Sequence, residues 1–347
     1  MYLKKILAAI AIIGLLVAAY FAYFVYGVML SPNTAFNNEE AYIFIPTNAS
    51  YTEVRAQLEP LLKDIDKFDA LAEQKKYTNN IKAGRFLIKK GMNNNDIINS
   101  IRSKNVPLKI AFNNQERIED LAGRIAFQIE VDSLSLLQSM TNVEFLSKNG
   151  FTKQTALAMY VPNSYEVYWN TSADAFRDKM LKEYNRFWTK TRLEKAKQLN
   201  LTPNEVVSLA AIVHKETAKV DERPRVAGVY LNRIKTGIPL QADPTVIYAV
   251  KKESGDFNRI IKRVLYKDLE IDSKFNTYKY SGIPPGPIFM PDVSAIDAVL
   301  NAEKHSYYYF VANVKNFGYH KFAKTLSQHN ANKREYVAWI NKQGVNR

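Results

Sequence analysis

Ile6 to Leu30 is a run of 25 residues without a charged side chain. As a helix rising about 1.5 Å per residue it exceeds the roughly 30 Å hydrocarbon core of a bilayer, so it is long enough to cross one with some tilt. Tyr20, Tyr23 and Tyr26 stand toward its distal end, where amphipathic rings favour the membrane–water interface. Lys4 and Lys5 precede it. By the positive-inside tendency they keep residues 1–5 cytoplasmic and put 31–347 outside. A cleaved signal peptide is the alternative, but the run is longer than the usual apolar core of about 7–15 residues and no small-x-small cleavage site follows. The expectation is a single-pass protein of the cell (inner) membrane, with residues 6–30 spanning and a periplasmic or otherwise extracytoplasmic remainder.

That location governs what the composition can mean. The net charge of +14 would suggest nucleic acid as the partner of a cytosolic chain. Outside the membrane it points to anionic head groups or a wall polymer bearing carboxylates, and no nucleic-acid partner is expected. The chain has no Cys, which excludes a disulfide framework, a thiolate nucleophile and Cys-ligated metals. Its four His are His214, His305, His320 and His329, without HExxH-type spacing, so no metal site and no cofactor are expected.

The polar stretch 31–40 reads as a linker. Residues 41–106 read as a small α+β region. It has a strand over 42–45, a helix-period stretch from Thr52 to Leu71, a second strand over 84–88, and a helix Ile97–Arg102 opened by Asn94-Asn95-Asp96. Such a unit is either a glycan-binding module or a spacer. Residues 107–200 form a connecting region with a strand at 108–112, helices near 118–128 and 133–139, an aromatic strand around 160–168, and one long basic helix from Ala173 to about Leu199. The densest motifs fall in 201–347, read as a larger α+β catalytic domain. The fold class is therefore α+β behind an N-terminal transmembrane helix.

Thr202-Pro203-Asn204-Glu205 is a capping box with Pro at the first helical position, predicting a helix over 203–217. At 100° per residue Val206, Leu209, Ile212 and Val213 span an arc of about 120°, and Glu216 falls near its middle while His214 and Lys215 point elsewhere. A carboxyl among apolar neighbours is costly to ionise, so its pKa rises toward neutrality, as a general acid requires. The competing reading makes Glu216 a frayed helix end paired with Arg223 or Arg225. A second helix over 225–233 ends at Gly237, and Leu240-Gln241-Ala242-Asp243-Pro244-Thr245 follows. There Asp243 either caps the helix starting at Pro244 or serves a site. Asn276-Thr277-Tyr278 and the stiff Gly282–Ile288 stretch come next, the latter a surface loop or a cleft wall. His320 stands on a returning strand, where a structural role competes with a functional one. Thr325-Leu326-Ser327-Gln328 opens the C-terminal helix as another capping box.

Taken in order, LAAIVHKET, ERPRVAGVYLNR, LQADPTVIY, FNTY, GIPPGPI and HKFAKTLSQHN resemble the motifs of the YceG-like (MltG) endolytic murein transglycosylases, over about 130 residues from 207 to 336. The membrane run followed by a small region, then read as LysM-like over 41–106, fits that family's layout more loosely. The resemblance implies a membrane-anchored lyase that cuts nascent peptidoglycan strands internally between N-acetylmuramic acid and N-acetylglucosamine. It leaves 1,6-anhydro-muramic ends and helps terminate strand elongation. It implies Glu216, in the K-E-T motif, as the catalytic carboxyl, and Gln241, Asp243, Thr245, Asn276, Tyr278 and His320 as substrate-binding candidates. Partners would be glycan strands, the membrane, and peptidoglycan synthases or division proteins. Three positions depart from the family: His214 and Gln328 stand where Glu is common, and Val161-Pro162-Asn163-Ser164-Tyr165 lacks the usual acidic residue. Two rivals remain: a water-using muramidase with Asp243 as second carboxylate, and a non-catalytic membrane-anchored glycan-binding scaffold.

Overall fold

The computed structural model describes residues 2–343. Helix and sheet are mixed in two compact units. The first runs to Ile110 and adds 128–131 and 165–172; the second takes 111–127, 132–164 and the chain from Ala173 onward.

The first unit opens with the apolar helix α1 (Tyr2–Tyr23), which continues as a π-helical stretch Phe24–Leu30; together they are long and apolar enough to cross a membrane. Strands β1 (Glu40–Ile45) and β2 (Gly84–Lys89) pair antiparallel, Glu40 opposite Lys89 and Ile45 opposite Gly84. Between them the expected single helix is two, α2 (Tyr51–Leu58) and α3 (Ile65–Gln74), parted by a 3-10 turn at Glu59-Pro60-Leu61. Pro60 lacks the N–H that would continue the ladder, and Asp64 restarts it by accepting the Lys67 N–H. Helix α4 (Asn94–Ser103) is capped by Asn93 and brings Ile97, Ile98 and Ile101 onto Phe68, Ile45 and Ile88.

Val28, at the end of the apolar run, belongs to this core at 4% exposure, and its carbonyl accepts from Asn94 Nδ2 at 2.7 Å. The stretch 31–40 is fastened to the same body. Asn33 Nδ2 donates to the Asp64 carbonyl and to Asn94 Oδ1, both at 2.7 Å, and Thr34 Oγ1 accepts the Gly91 N–H.

Strand β3 (Leu108–Phe112) pairs with β4 (Asn163–Val167). In the second unit α5 (Ile118–Ala126) and α6 (Ser133–Met140) stand where the periodicity put them, and a short α7 (Val143–Lys148), unexpected from sequence, precedes the Asn149-Gly150 turn. The long basic helix is broken into α8 (Ala173–Phe187) and α9 (Lys190–Gln198), because Thr189 leaves the helix and caps the second segment through the Arg192 N–H.

Helix α10 (Pro203–Glu216) is central: it packs on α11 (Arg223–Thr236), α12 (Asp243–Ser254) and α14 (Val293–Leu300), with the four-residue α13 (Tyr266–Leu269) lying between α12 and α14 in sequence. Every residue from Val206 to Val213 is buried, so the stripe seen in the sequence is only the most apolar face of a helix enclosed on all sides. The capping box is formed, with Thr202 Oγ1 accepting the Glu205 N–H and the Glu205 carboxylate accepting the Thr202 N–H at 2.8 Å. Gly237 ends α11 at φ +73°, a left-handed cap that a side chain rarely adopts. Strands β5 (Tyr309–Ala312) and β6 (His320–Ala323) form an antiparallel hairpin, and α15 (Leu326–Lys342) starts at the Thr325 cap.

Candidate active site

Glu216 is the last residue of α10, so its side chain leaves the buried helix at the point where apolar packing gives way to a cleft of about 310 Å³. It is not a frayed end paired with arginine. Tyr230, midway along α11 and 2% exposed, donates from its hydroxyl to Glu216 Oε1 at 2.7 Å. Arg223 and Arg225 go elsewhere, to Ser294 and Asp292 and to Glu303 respectively. Burial pushes the Glu216 pKa up to about 7; the Tyr230 hydroxyl opposes this, the Asp243 charge adds to it, and His320 and Arg233 pull it down. A carboxyl with that pKa is close to half protonated at neutral pH and can both give and take a proton.

Asp243 does not cap α12. The N-cap is Ala242, without a side-chain cap bond, and the Asp243 carboxylate accepts from the Tyr278 hydroxyl at 2.6 Å. Both residues line the cleft, as does Gln241. Gln241 sits at φ +49°, a left-handed conformation that costs a non-glycine residue on the order of 1–3 kcal/mol and is held by its N–H donating to the Thr277 carbonyl.

Thr245 and Asn276 lie behind the cleft wall. Both are fully buried, and their polar atoms are taken. Thr245 Oγ1 donates to the Ala242 carbonyl at 2.7 Å and pairs with Thr277 Oγ1 at 2.8 Å, stitching LQADPT to FNTY. Asn276 Nδ2 holds the Leu269 and Ile271 carbonyls while Oδ1 accepts the Tyr278 N–H. In this geometry they set the positions of Asp243 and Tyr278 and offer no polar atom to a ligand.

His320 is paired with Glu222. Its backbone N–H and Nδ1 reach the two Glu222 carboxylate oxygens at 2.7 and 2.8 Å. A carboxylate can only accept, so Nδ1 carries the proton. Burial alone would raise the Glu222 pKa, but the bonds from His320 outweigh it and hold the carboxyl below its ordinary value.

Gly282–Ile288 is not part of the cleft lining. Gly286 lies against the Gln154 carbonyl, where a Cβ would clash at 2.0 Å, and Ile288 and Met290 are core residues. His214 fastens the end of that segment: its Nδ1 accepts the Asp292 N–H at 3.1 Å and its ring meets Phe289 edge-on. Gln328 makes half of the expected box, its Oε1 accepting from the Lys324 N–H while its own N–H goes to Thr325 Oγ1.

A family model described as the YceG-like family matches residues 43–335. The chain belongs to the YceG-like family. It is 28% identical over 340 residues to an endolytic murein transglycosylase of Bacillus subtilis, with 92% of this chain and 91% of that protein covered. It is 27% identical over 337 residues to an endolytic murein transglycosylase of Streptococcus pneumoniae strain D39, covering 89% of this chain and 60% of the longer relative. The crystal structure of a yceG-like protein from Listeria monocytogenes superposes with a TM-score of 0.56 at 28% identity, covering 85% of this chain and 99% of that one.

The cleft of this YceG-like chain also contains residues that its sequence did not single out: Tyr230, Arg233, Tyr309, Phe310 and His329. The i, i+3 spacing of Tyr230 and Arg233 puts them on one face of α11, which was a readable signal once Glu216 was suspected. The aromatic wall was not readable. Tyr309 stacks on His329 with ring centroids 5.2 Å apart, a contact between strand and helix that depends on the tertiary fold.

Proposed function

We propose that this protein is a membrane-anchored endolytic peptidoglycan transglycosylase that cuts between N-acetylmuramic acid and N-acetylglucosamine in nascent strands, leaves 1,6-anhydro-muramic ends and so helps to end strand elongation. Residues 6–30 anchor it, 1–5 remain cytoplasmic, and the remainder works outside the membrane, with 41–106 as a LysM-like glycan-holding region and peptidoglycan synthases or division proteins nearby. The observation that carries the reading is Glu216 itself: a carboxyl at the end of a buried helix, held by the Tyr230 hydroxyl at 2.7 Å in a cleft of about 310 Å³, with burial raising its pKa to about 7.

Protonated Glu216 donates to the glycosidic oxygen as the bond to C1 breaks. The resulting carboxylate, stabilised by the Tyr230 hydroxyl, then takes the proton from the C6 hydroxyl as that oxygen closes on C1. One carboxyl serves as acid and then base, so no second catalytic carboxylate and no water are needed, unlike in most glycosidases. Gln241, Asp243 and Tyr278 meet sugar hydroxyls and acetamido groups.

A second reading has one observation in its favour. Asp243 shares the cleft and its charge is felt at Glu216, as the second carboxylate of a muramidase would be. The test is incubation of the full chain, and of the chain with Glu216→Gln, with uncrosslinked strands, followed by borohydride and mass spectrometry. Ends that resist reduction, absent with the variant, support the transglycosylase. Reducible ends make it a muramidase, and strands bound but never cut make it a scaffold.

A further inference from the structure

Arg233 is a buried cation whose hydrogen bonds all end on neutral acceptors. It is 8% exposed. Its Nε donates to the Tyr308 carbonyl at 2.7 Å, and its Nη1 donates to the carbonyls of Pro239 at 3.1 Å and Leu240 at 2.8 Å and to Gln241 Oε1 at 3.4 Å. All four acceptors are neutral: they fix the plane of the guanidinium, while the Glu216 carboxylate acts on its charge without a hydrogen bond between them. Among the described residues none of its hydrogen bonds or ion pairs ends on a carboxylate. The remaining nitrogen, Nη2, has no partner there and is not one of the buried unpartnered atoms, so it opens on the cleft that Arg233 lines.

Enclosing a guanidinium without a hydrogen-bonded anion is expensive, and folded proteins ordinarily avoid it. Burial draws its pKa down from the ordinary arginine value, the sign expected of a desolvated cation. On one side the Tyr309 ring stands 5.2 Å from the guanidinium carbon, backed by the stacked His329 ring. Tyr230, three residues earlier on the same helix face, already holds Glu216. The free edge of the fork is therefore directed to the space beside the catalytic carboxyl, a geometry suited to carbonyl and carboxylate oxygens.

We propose that Arg233 is a substrate-binding residue of this cleft, its Nη2 donating to an acyl oxygen of the glycan, a role that rests on the glycan reading of the Glu216 cleft. Two acyl oxygens occur on a peptidoglycan strand: the acetamido carbonyl of every sugar and the lactyl group of the muramic residues. A tethered oxygen there fixes the bound sugar against Glu216 before the proton moves.

The test uses the full chain in detergent with Glu216→Gln as the uncut parent, and three probes: chitooligosaccharide, which has acetamido groups only; stem-free glycan strands; and stem-bearing uncrosslinked strands. Adding Arg233→Gln weakens binding about 10- to 100-fold, the loss expected for a hydrogen bond from a charged donor. Adding Arg233→Lys weakens it less. Equal losses on all three probes assign the acetamido oxygen, and losses on the two muramic probes alone assign the lactyl group. Because Arg233→Gln also removes bonds to three backbone carbonyls and can unfold the unit, the guanidinium 15N resonances of the parent are followed as well, and the Arg233 signal shifts when strands bind. Folded Arg233 variants that bind all three probes as tightly as the parent, or an Arg233 signal unmoved at saturating strand, overturn the proposal. A parent that binds no probe overturns the glycan reading itself, before Arg233 is touched.

Discussion

Tyr230→Phe isolates the contact on which the proposed proton chemistry depends. It removes one hydroxyl, which donates to Glu216 Oε1 at 2.7 Å, and keeps the ring that packs edge-on against Phe310. A hydrogen bond to an ionised carboxylate contributes about 1.5–3 kcal/mol and one to a neutral partner about 0.5–1.5 kcal/mol. The ionised form of Glu216 therefore loses about 1–1.5 kcal/mol more than the protonated form. At 1.36 kcal/mol per pH unit, its pKa rises from about 7 to about 8. In the proposed mechanism Glu216 must be protonated to donate to the glycosidic oxygen, so the rate falls as pH rises through that pKa, and the alkaline limb of kcat/KM moves up by about one pH unit. The rate at the optimum falls as well, because the carboxylate formed in the first step has lost its donor. The assay is release of anhydro-ended fragments from uncrosslinked strands between pH 5 and 10, with thermal melting to show that the variant is folded. An alkaline limb that stays in place or moves down would refute the assignment of Tyr230 and the origin of the raised pKa.

Three further outcomes follow from the same geometry. Asp243→Asn removes a charge that raises the Glu216 pKa, so the alkaline limb moves down by roughly half a pH unit, a modest shift because Asp243 is exposed, while anhydro ends persist; loss of all cleavage would make Asp243 the second carboxylate. Glu216→Gln stabilises the protein at pH 8 by about 3 kcal/mol. The wild-type carboxyl has a folded-state pKa above its unfolded value, so its stabilising proton is fully present below about pH 4.5 and lost as pH rises through about 7; denaturant melts at pH 4 and pH 8 check that the gain appears only at the higher pH. A soluble fragment starting at residue 31 is less stable than one starting at residue 24 by about 2–4 kcal/mol, because Val28 and its packing neighbours Phe24 and Met29 are removed from the first unit. Equal melting temperatures for the two fragments would contradict that packing.

The sequence made the helices of the second unit legible where capping chemistry and apolar period agreed, as at Thr202–Glu205 and along α10. It misjudged continuity at Glu59-Pro60 and at Trp188-Thr189, where a local proline or a capping hydroxyl overrode a periodic pattern. Glu216 was legible because a carboxyl within an apolar stripe is a conflict visible in one dimension. Asp243 left two readings open, and only its bond to Tyr278, 35 residues away, separates them. Thr245 and Asn276 were marked by motif, but a motif does not tell whether a polar side chain faces a ligand or its own backbone. Arg233 and the Tyr309–His329 wall were missed since their meaning depends on which carbonyls and rings the tertiary fold brings to them. The fate of Val28 was hidden for a related reason: an apolar run has no mark for the residue at which lipid gives way to protein.

The central claim is that one carboxyl completes the reaction without water. It is tested most directly by running the cleavage in oxygen-18-labelled water and weighing the new muramic ends. The account predicts anhydro ends that carry no label and that disappear with Glu216→Gln. One labelled oxygen at each new end would show that water is the acceptor and would contradict it.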